Sequence, residues 1–166
     1  MKILVAGIGN VLLGDDGFGP AVIAALRAGG PRTRPDVEIA DFGIRGMDLA
    51  LALTGGVDAA ILVDAVARGG APGTLYVIEP AAGAPPELLA HAMDPARVLA
   101  YAAAIGAPPR VVRVVGCEPA RLGDGEGDGD RELLVGLSEP VARAVAPAAR
   151  LVGDLVAALA EGACTS

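Results

Sequence analysis

Residues 1–20 read MKILVAGIGNVLLGDDGFGP. From Lys2 to Ile8 the side chains are largely apolar, several of them β-branched, with no alternation of polar positions. That is the pattern of a strand buried on both faces, and such strands belong to parallel sheets. Gly7, Gly9 and Asn10 turn the chain, and two adjacent acids, Asp15 and Asp16, precede Phe18. Phe18 to Ala28 then sets Phe18, Val22, Ile23 and Leu26 at helical spacing, with Pro20 acceptable in a first turn and Gly29-Gly30 as the stop. Strand, turn and helix in this order form the unit from which α/β domains are built.

The rest of the chain repeats the unit. Val37 to Phe42 reads as a second strand, ending in Asp41, and Met47 to Leu53 as a short helix after the turn Gly43 to Gly46. Ala59 to Val66 is a third strand whose apolar run is interrupted only by Asp64. Thr74 to Ile78 and Arg110 to Gly116 are the fourth and fifth strands, separated by a helix from Asp94-Pro95 to Ile105, with Asp94 as its cap. Ser138 caps a final helix with the stripe Val141, Val145, Ala148, Val152, Leu155, Leu159, which Pro147 is expected to kink or divide. The predicted fold is an α/β/α sandwich in three layers around a mainly parallel twisted sheet of about five strands. A single domain is expected over residues 1–161, with 162–166 as a disordered tail.

Composition narrows the functional classes. Net charge is −7, and without a basic run the chain lacks the means to neutralise phosphates, which argues against nucleic-acid binding. Mean hydropathy is +0.54, yet Asp64, Gly106 with Pro108 and Pro109, and Arg150 with Asp154 interrupt every window long enough to span a bilayer. The start lacks the long apolar segment of a signal peptide, and Cys117 and Cys164 have neither CxxC spacing nor a disulfide framework. These features predict a cytoplasmic protein without a membrane span. The stretch Leu122 to Glu132 alternates acid and glycine and reads as a mobile loop. Asp124, Glu126, Asp128 and Gly129 match the start of a calcium loop, but Val135 stands where the bidentate Glu is required.

Ligands of open parallel sheets bind beyond the carboxyl ends of the strands, and Asp16, Asp41 and Asp64 all fall at or just past such ends. Facing carboxylates repel unless they share a cation or a proton. His91, the only histidine, lies in the connection after the fourth strand. Two carboxylates and an imidazole suit a borderline divalent ion such as Zn, Ni, Fe or Co. Plainer readings compete: Asp15 and Asp16 as acids at a helix start, Asp64 as a cap, His91 as a solvated loop residue. A dinucleotide fingerprint is matched only at Gly7-x-Gly9, since Leu12 occupies the place of its third glycine, while Asp41 mimics a ribose-binding acid. No G-x-S-x-G elbow occurs, which leaves Cys117 as the candidate nucleophile, with burial in the core as its commoner role.

Together, ILVAGIGNVLLGDDGFG, DFGIRGMDLA, ILVDAVARGGAPGTL, HAMDP, VVGCEP and GLSEPV resemble the hydrogenase maturation proteases over nearly the whole chain. The resemblance implies an α/β/α sandwich and an endopeptidase that trims the C-terminus of the large-subunit precursor of a nickel-iron hydrogenase. It implies metal ligands at Asp16, Asp64 and His91, catalytic roles for Asp16 and Asp64, and Asp41 as a supporting group or base. The metal would be nickel carried by the substrate, and the enzyme would act as a monomer. The first ligand is often Glu in the family, so Asp16 is a shorter one. Phe42 and Ile44 stand where some members carry Gly and Thr, and Pro95 follows His91 by four residues where some members place the two together. Two other classes stay open: a non-catalytic metal-binding factor that checks nickel loading, and a nucleotide-binding Rossmann-like protein.

Overall fold

A computed structural model describes residues 1–29, 34–80, 95–123 and 134–162. Five strands, β1 (Ile3–Ile8), β2 (Val37–Gly43), β3 (Ala59–Ala65), β4 (Leu75–Ile78) and β5 (Val111–Cys117), form one sheet in the order β2-β1-β3-β5-β4. All neighbours run parallel except β4, which pairs antiparallel with β5 at the edge. Helices α1 (Phe18–Ala28), α2 (Gly46–Leu53), α3 (Pro95–Ile105) and α4 (Glu139–Gly162) cover it.

The unbroken apolar runs explain the centre of the sheet. β1 and β3 are buried at every residue because both of their faces are covered. Side chains alternate between the faces. Leu4, Ala6, Ile8, Ala60 and Leu62 pack with Leu49 and Leu53 of α2 and Val98 of α3. Val5, Ile61 and Val63 pack with Phe18 and Val22 of α1 and Val141 and Val152 of α4. Three layers follow, as the sequence predicts, with a core of aliphatic residues and a single fully buried aromatic, Phe18. Truncating one of the large aliphatic side chains, such as Leu62, to Ala should cost about 2–5 kcal/mol.

Close approach of α1 to the sheet depends on glycine. A Cβ on Gly19 would stand 2.2 Å from the Ile8 carbonyl oxygen and 2.4 Å from that of Val63. The tight packing of helix on strand, sought at position 12 in the sequence, is thus supplied by Gly19 in the first turn of α1.

The predicted elements are present, with boundaries moved by a residue or so. Two expectations are corrected. α4 is not divided at Pro147: Ala144, Ala148 and Val152 are buried on both sides of it, and this packing keeps the helix continuous despite the missing N–H. Gly162, expected to start the tail, is the last residue of α4. Asp94, His91 and the acid-glycine stretch 124–130 lie outside the described residues. No helix among the described residues is long and apolar enough to cross a membrane.

Candidate functional site

Because β1, β2, β3 and β5 are parallel, their carboxyl ends share one edge of the sheet, and the loops that leave it carry the candidate residues. The loop after β1 folds back into a single 3-10 turn, Asp15–Gly17, packed against β3. Gly9 makes this possible. Its φ of +124° suits glycine alone, and a Cβ there would fall 1.8 Å from the Asp16 carbonyl oxygen. The Asp16 carboxylate is partly buried and accepts the Asn10 N–H at 2.6 Å through Oδ2. Asn10 is itself fixed by its own turn, in which Oδ1 accepts the Leu12 N–H at 3.0 Å.

Asp64 arrives from the neighbouring strand. Val63 pairs with Gly7 of β1, so Asp64 is the next residue outward, and on its other side it pairs with Gly116 of β5. It is only 5% exposed, and its Oδ1 accepts the Ala65 N–H at 2.8 Å. The turn that carries Asp16 packs against β3, the strand that carries Asp64.

Asp41 stands apart from Asp64. Its register partner is Gly7, so β1 separates it from β3, a span of two strand spacings or roughly 10 Å. Alternation also turns it to the opposite face of the sheet from Asp64. Its Oδ1 accepts the Gly43 N–H at 2.9 Å and shapes the turn after β2, where Arg45 donates to the Asp41 carbonyl at 2.5 Å and the Phe42 carbonyl at 3.1 Å. Asp41 lines a groove of about 480 Å³ together with Asn10, Leu12, Phe42, Ile44 and Arg45. Of the three acids at the carboxyl edge, Asp41 and Asp64 are thus held on strands separated by β1, and Asp41 lines the groove.

Two buried carboxylates were not singled out as site groups by the sequence. Asp15, read there as a helix-start acid, is completely buried. Its Oδ2 accepts the N–H groups of Ala120 (2.8 Å) and Arg121 (2.9 Å) and the Ser138 hydroxyl (2.9 Å), while Oδ1 accepts the Ser138 N–H at 2.6 Å. Ser138 does precede α4, but its hydroxyl serves Asp15. Burial acts to raise the pKa of Asp15, and the donors of Ser138, Arg121 and Ala120 outweigh it, holding the carboxyl below its ordinary value. Glu118, 5% exposed just beyond β5, accepts the N–H groups of Arg68 (2.8 Å) and Gly69 (3.0 Å) and the Tyr76 hydroxyl (2.8 Å). It too is held below its ordinary value, burial being outweighed by these bonds. An acid closing an apolar strand, the signal that marks Asp64, also marks Glu118.

Cys117 has none of the properties of a nucleophile. It is fully buried, and its thiol is pushed up to about 12, first by burial and then by the charges of Asp15 and Glu118. The glycines, in turn, form no phosphate cradle, since the Asp16 main chain fills the space over Gly9. Among the described residues no three His, Cys, Asp or Glu side chains stand close enough to hold a metal ion, and His91, the third ligand expected, lies outside them.

Comparison with known proteins places this geometry in context. A family model described as hydrogenase maturation protease matches residues 21–154. The chain is 34% identical over 166 residues to the hydrogenase 2 maturation protease of Escherichia coli K12, covering 97% of this chain and 92% of that protein. It is 37% identical over 153 residues to the hydrogenase expression/formation protein HupM of Azotobacter chroococcum, covering 89% and 68%. Among solved structures it superposes on the hydrogenase maturating endopeptidase HybD from E. coli with a TM-score of 0.75 and 31% identity, covering 98% of this chain and 94% of that one.

Proposed function

The chain belongs to the hydrogenase maturation protease family and is a peptidase, and on that premise we propose that it removes a C-terminal peptide from the nickel-loaded large-subunit precursor of a nickel-iron hydrogenase. The observation that carries this reading is the packing of the Asp16 turn against β3, the strand near whose carboxyl end Asp64 lies. In support, Gly9 admits the turn that carries Asp16, and the pairing of β3 with β1 and β5 puts Asp64 near the carboxyl end of its strand.

On this reading the nickel belongs to the substrate. Asp16 and Asp64 supply two anionic oxygen donors, and His91, from the sequence, supplies the imidazole; this set suits a borderline divalent ion. Such an ion polarises a carbonyl held against it, and the carboxylates fix where it sits. Asp41, two strands away and bonded to its own turn, is assigned to the groove that seats the peptide. The enzyme acts on the precursor in the cytoplasm, as a monomer.

The test is direct. Purified protein is incubated with metal-free and nickel-loaded precursor, and product mass is measured for the parent, Asp16→Asn and Asp64→Asn. Shortening of the nickel-loaded form only, abolished in both variants, is the expected result. Normal processing by either variant would remove it from the site. Tight binding of the precursor without any shorter product would leave a loading checkpoint in place of a protease.

A further inference from the structure

We propose that Asp15 is a positioning residue for the site, and that its carboxylate sets where the neighbouring Asp16 stands relative to Asp64. This rests on the reading of Asp16 given above. The carboxylate joins three segments far apart in sequence: the loop after β1, the exit from β5 at Ala120 and Arg121, and Ser138 at the start of α4. Main-chain bonds run alongside it. Asp15 N–H donates to the Arg121 carbonyl at 3.2 Å, Gly14 N–H to the Leu134 carbonyl at 2.6 Å and Gly123 N–H to the Leu13 carbonyl at 3.3 Å. The loop carrying Asp16 is therefore clamped on both sides of residues 124–133, at Arg121 to Gly123 and again at Leu134 and Ser138.

Asp16 Oδ2 accepts the Asn10 N–H from within the same loop at 2.6 Å. That bond orients its carboxylate but cannot locate the loop against the sheet. Packing of Gly17, Phe18 and Gly19 locates the loop's far end, and the Asp15 clamp locates the side toward β5 and α4. Four donors on one buried carboxylate leave it little freedom, and an amide cannot replace it, because an Asn would turn a donor toward at least one donor. A misplacement of about 1 Å in a catalytic group is enough to cost on the order of 100-fold in rate.

Asp15→Asn is compared with the parent at a temperature well below the melting point of both, by kcat and KM for nickel-loaded precursor, with circular dichroism to confirm the fold. A positioning role predicts that kcat falls at least about tenfold while KM stays within about twofold. A purely structural role lowers the melting temperature and leaves kcat unchanged, and that result overturns the proposal. If Asp15→Asn does not fold, Ser138→Ala, which removes only the hydroxyl donor, decides: a folded protein with a several-fold lower kcat upholds the proposal, and an unchanged kcat overturns it. Asp16→Asn is run beside them. Its full activity would defeat the reading of the site itself, whereas an inactive Asp16→Asn with an unaffected Asp15→Asn defeats only the positioning role.

Discussion

The Tyr76 hydroxyl donates to Glu118 Oε2 at 2.8 Å, tying the edge strand β4 to the loop that leaves β5. Tyr76 is raised by that bond and Glu118 lowered, each in the direction expected of a donor facing an ionised acceptor. Glu118 thus contributes stability above its unfolded pKa, near 4.5, and the contribution is lost as pH falls through the lower folded value. Tyr76 and Cys117, whose pKa values are raised, do not share this window: Tyr76 stays protonated through it and Cys117 stays neutral. Asp15 does titrate at acid pH, so a variant must isolate Glu118. Glu118→Gln should lose about 1–3 kcal/mol at pH 7, because N–H donors in the loop lose a charged acceptor. The difference from the parent should shrink progressively in denaturant melts as pH is lowered below about 4.5, and a constant difference would show that the charge is not responsible.

Gly9→Ala is expected to be the most damaging small substitution in the chain. The new methyl would meet the Asp16 carbonyl oxygen at 1.8 Å, and a φ of +124° is strained for any residue with a Cβ. Strain of this kind costs on the order of 1–3 kcal/mol, and overpacking a similar amount again. The loop should move to relieve the clash and carry Asp16 with it. The expected outcome is a lowered urea midpoint together with loss of precursor cleavage. Parental cleavage by a stable Gly9→Ala protein would sink the account of how Asp16 is placed.

Sequence and structure agree most where a single strand decides the answer. The runs Ile3–Ile8 and Ala59–Ala65 lack polar alternation, so both faces had to be covered, and they form the two buried central strands. The burial of Asp64 was legible because a single carboxylate interrupts such a run. The clamp on Asp15 was not legible, since Ala120, Arg121 and Ser138 lie more than a hundred residues from it and the sequence carries no trace of that contact. Strand-end position alone also grouped Asp41 with the others, because strand order, which sets β1 between β2 and β3, is not written in any one segment.

Cys117 should be silent to both reagents and catalysis. In a Cys164→Ser background it is the only thiol, and with its pKa pushed up to about 12 and its side chain fully buried, iodoacetamide at pH 8 should label it only after denaturation. Cys117→Ala should cost about 1 kcal/mol in stability through lost packing and leave cleavage intact. Rapid labelling of the native protein, or loss of cleavage in a folded variant, would restore the thiol as a candidate nucleophile.

The groove beside the site makes a separate prediction about substrate. Leu12, from the loop after β1, and Ile44, from the turn after β2, line it, and they are 47% and 61% exposed. Large aliphatic side chains this exposed on two adjacent loops gain by covering each other's surroundings with a ligand, at about 25 cal/mol per Å² of apolar area buried. Asn10 lines the same groove and donates its N–H to Asp16, so a peptide lying there runs toward the acids. Leu12→Ser and Ile44→Ser should each weaken this contact by about 1 kcal/mol, raising KM for the precursor by roughly fivefold while kcat and the melting temperature change little. The double variant should approach the product of the two effects, since the residues sit on different loops and each loses its own contact with the peptide. Steady-state cleavage across a range of precursor concentrations reads this out, and a fall in kcat at constant KM would place these side chains in the catalytic step instead of in binding.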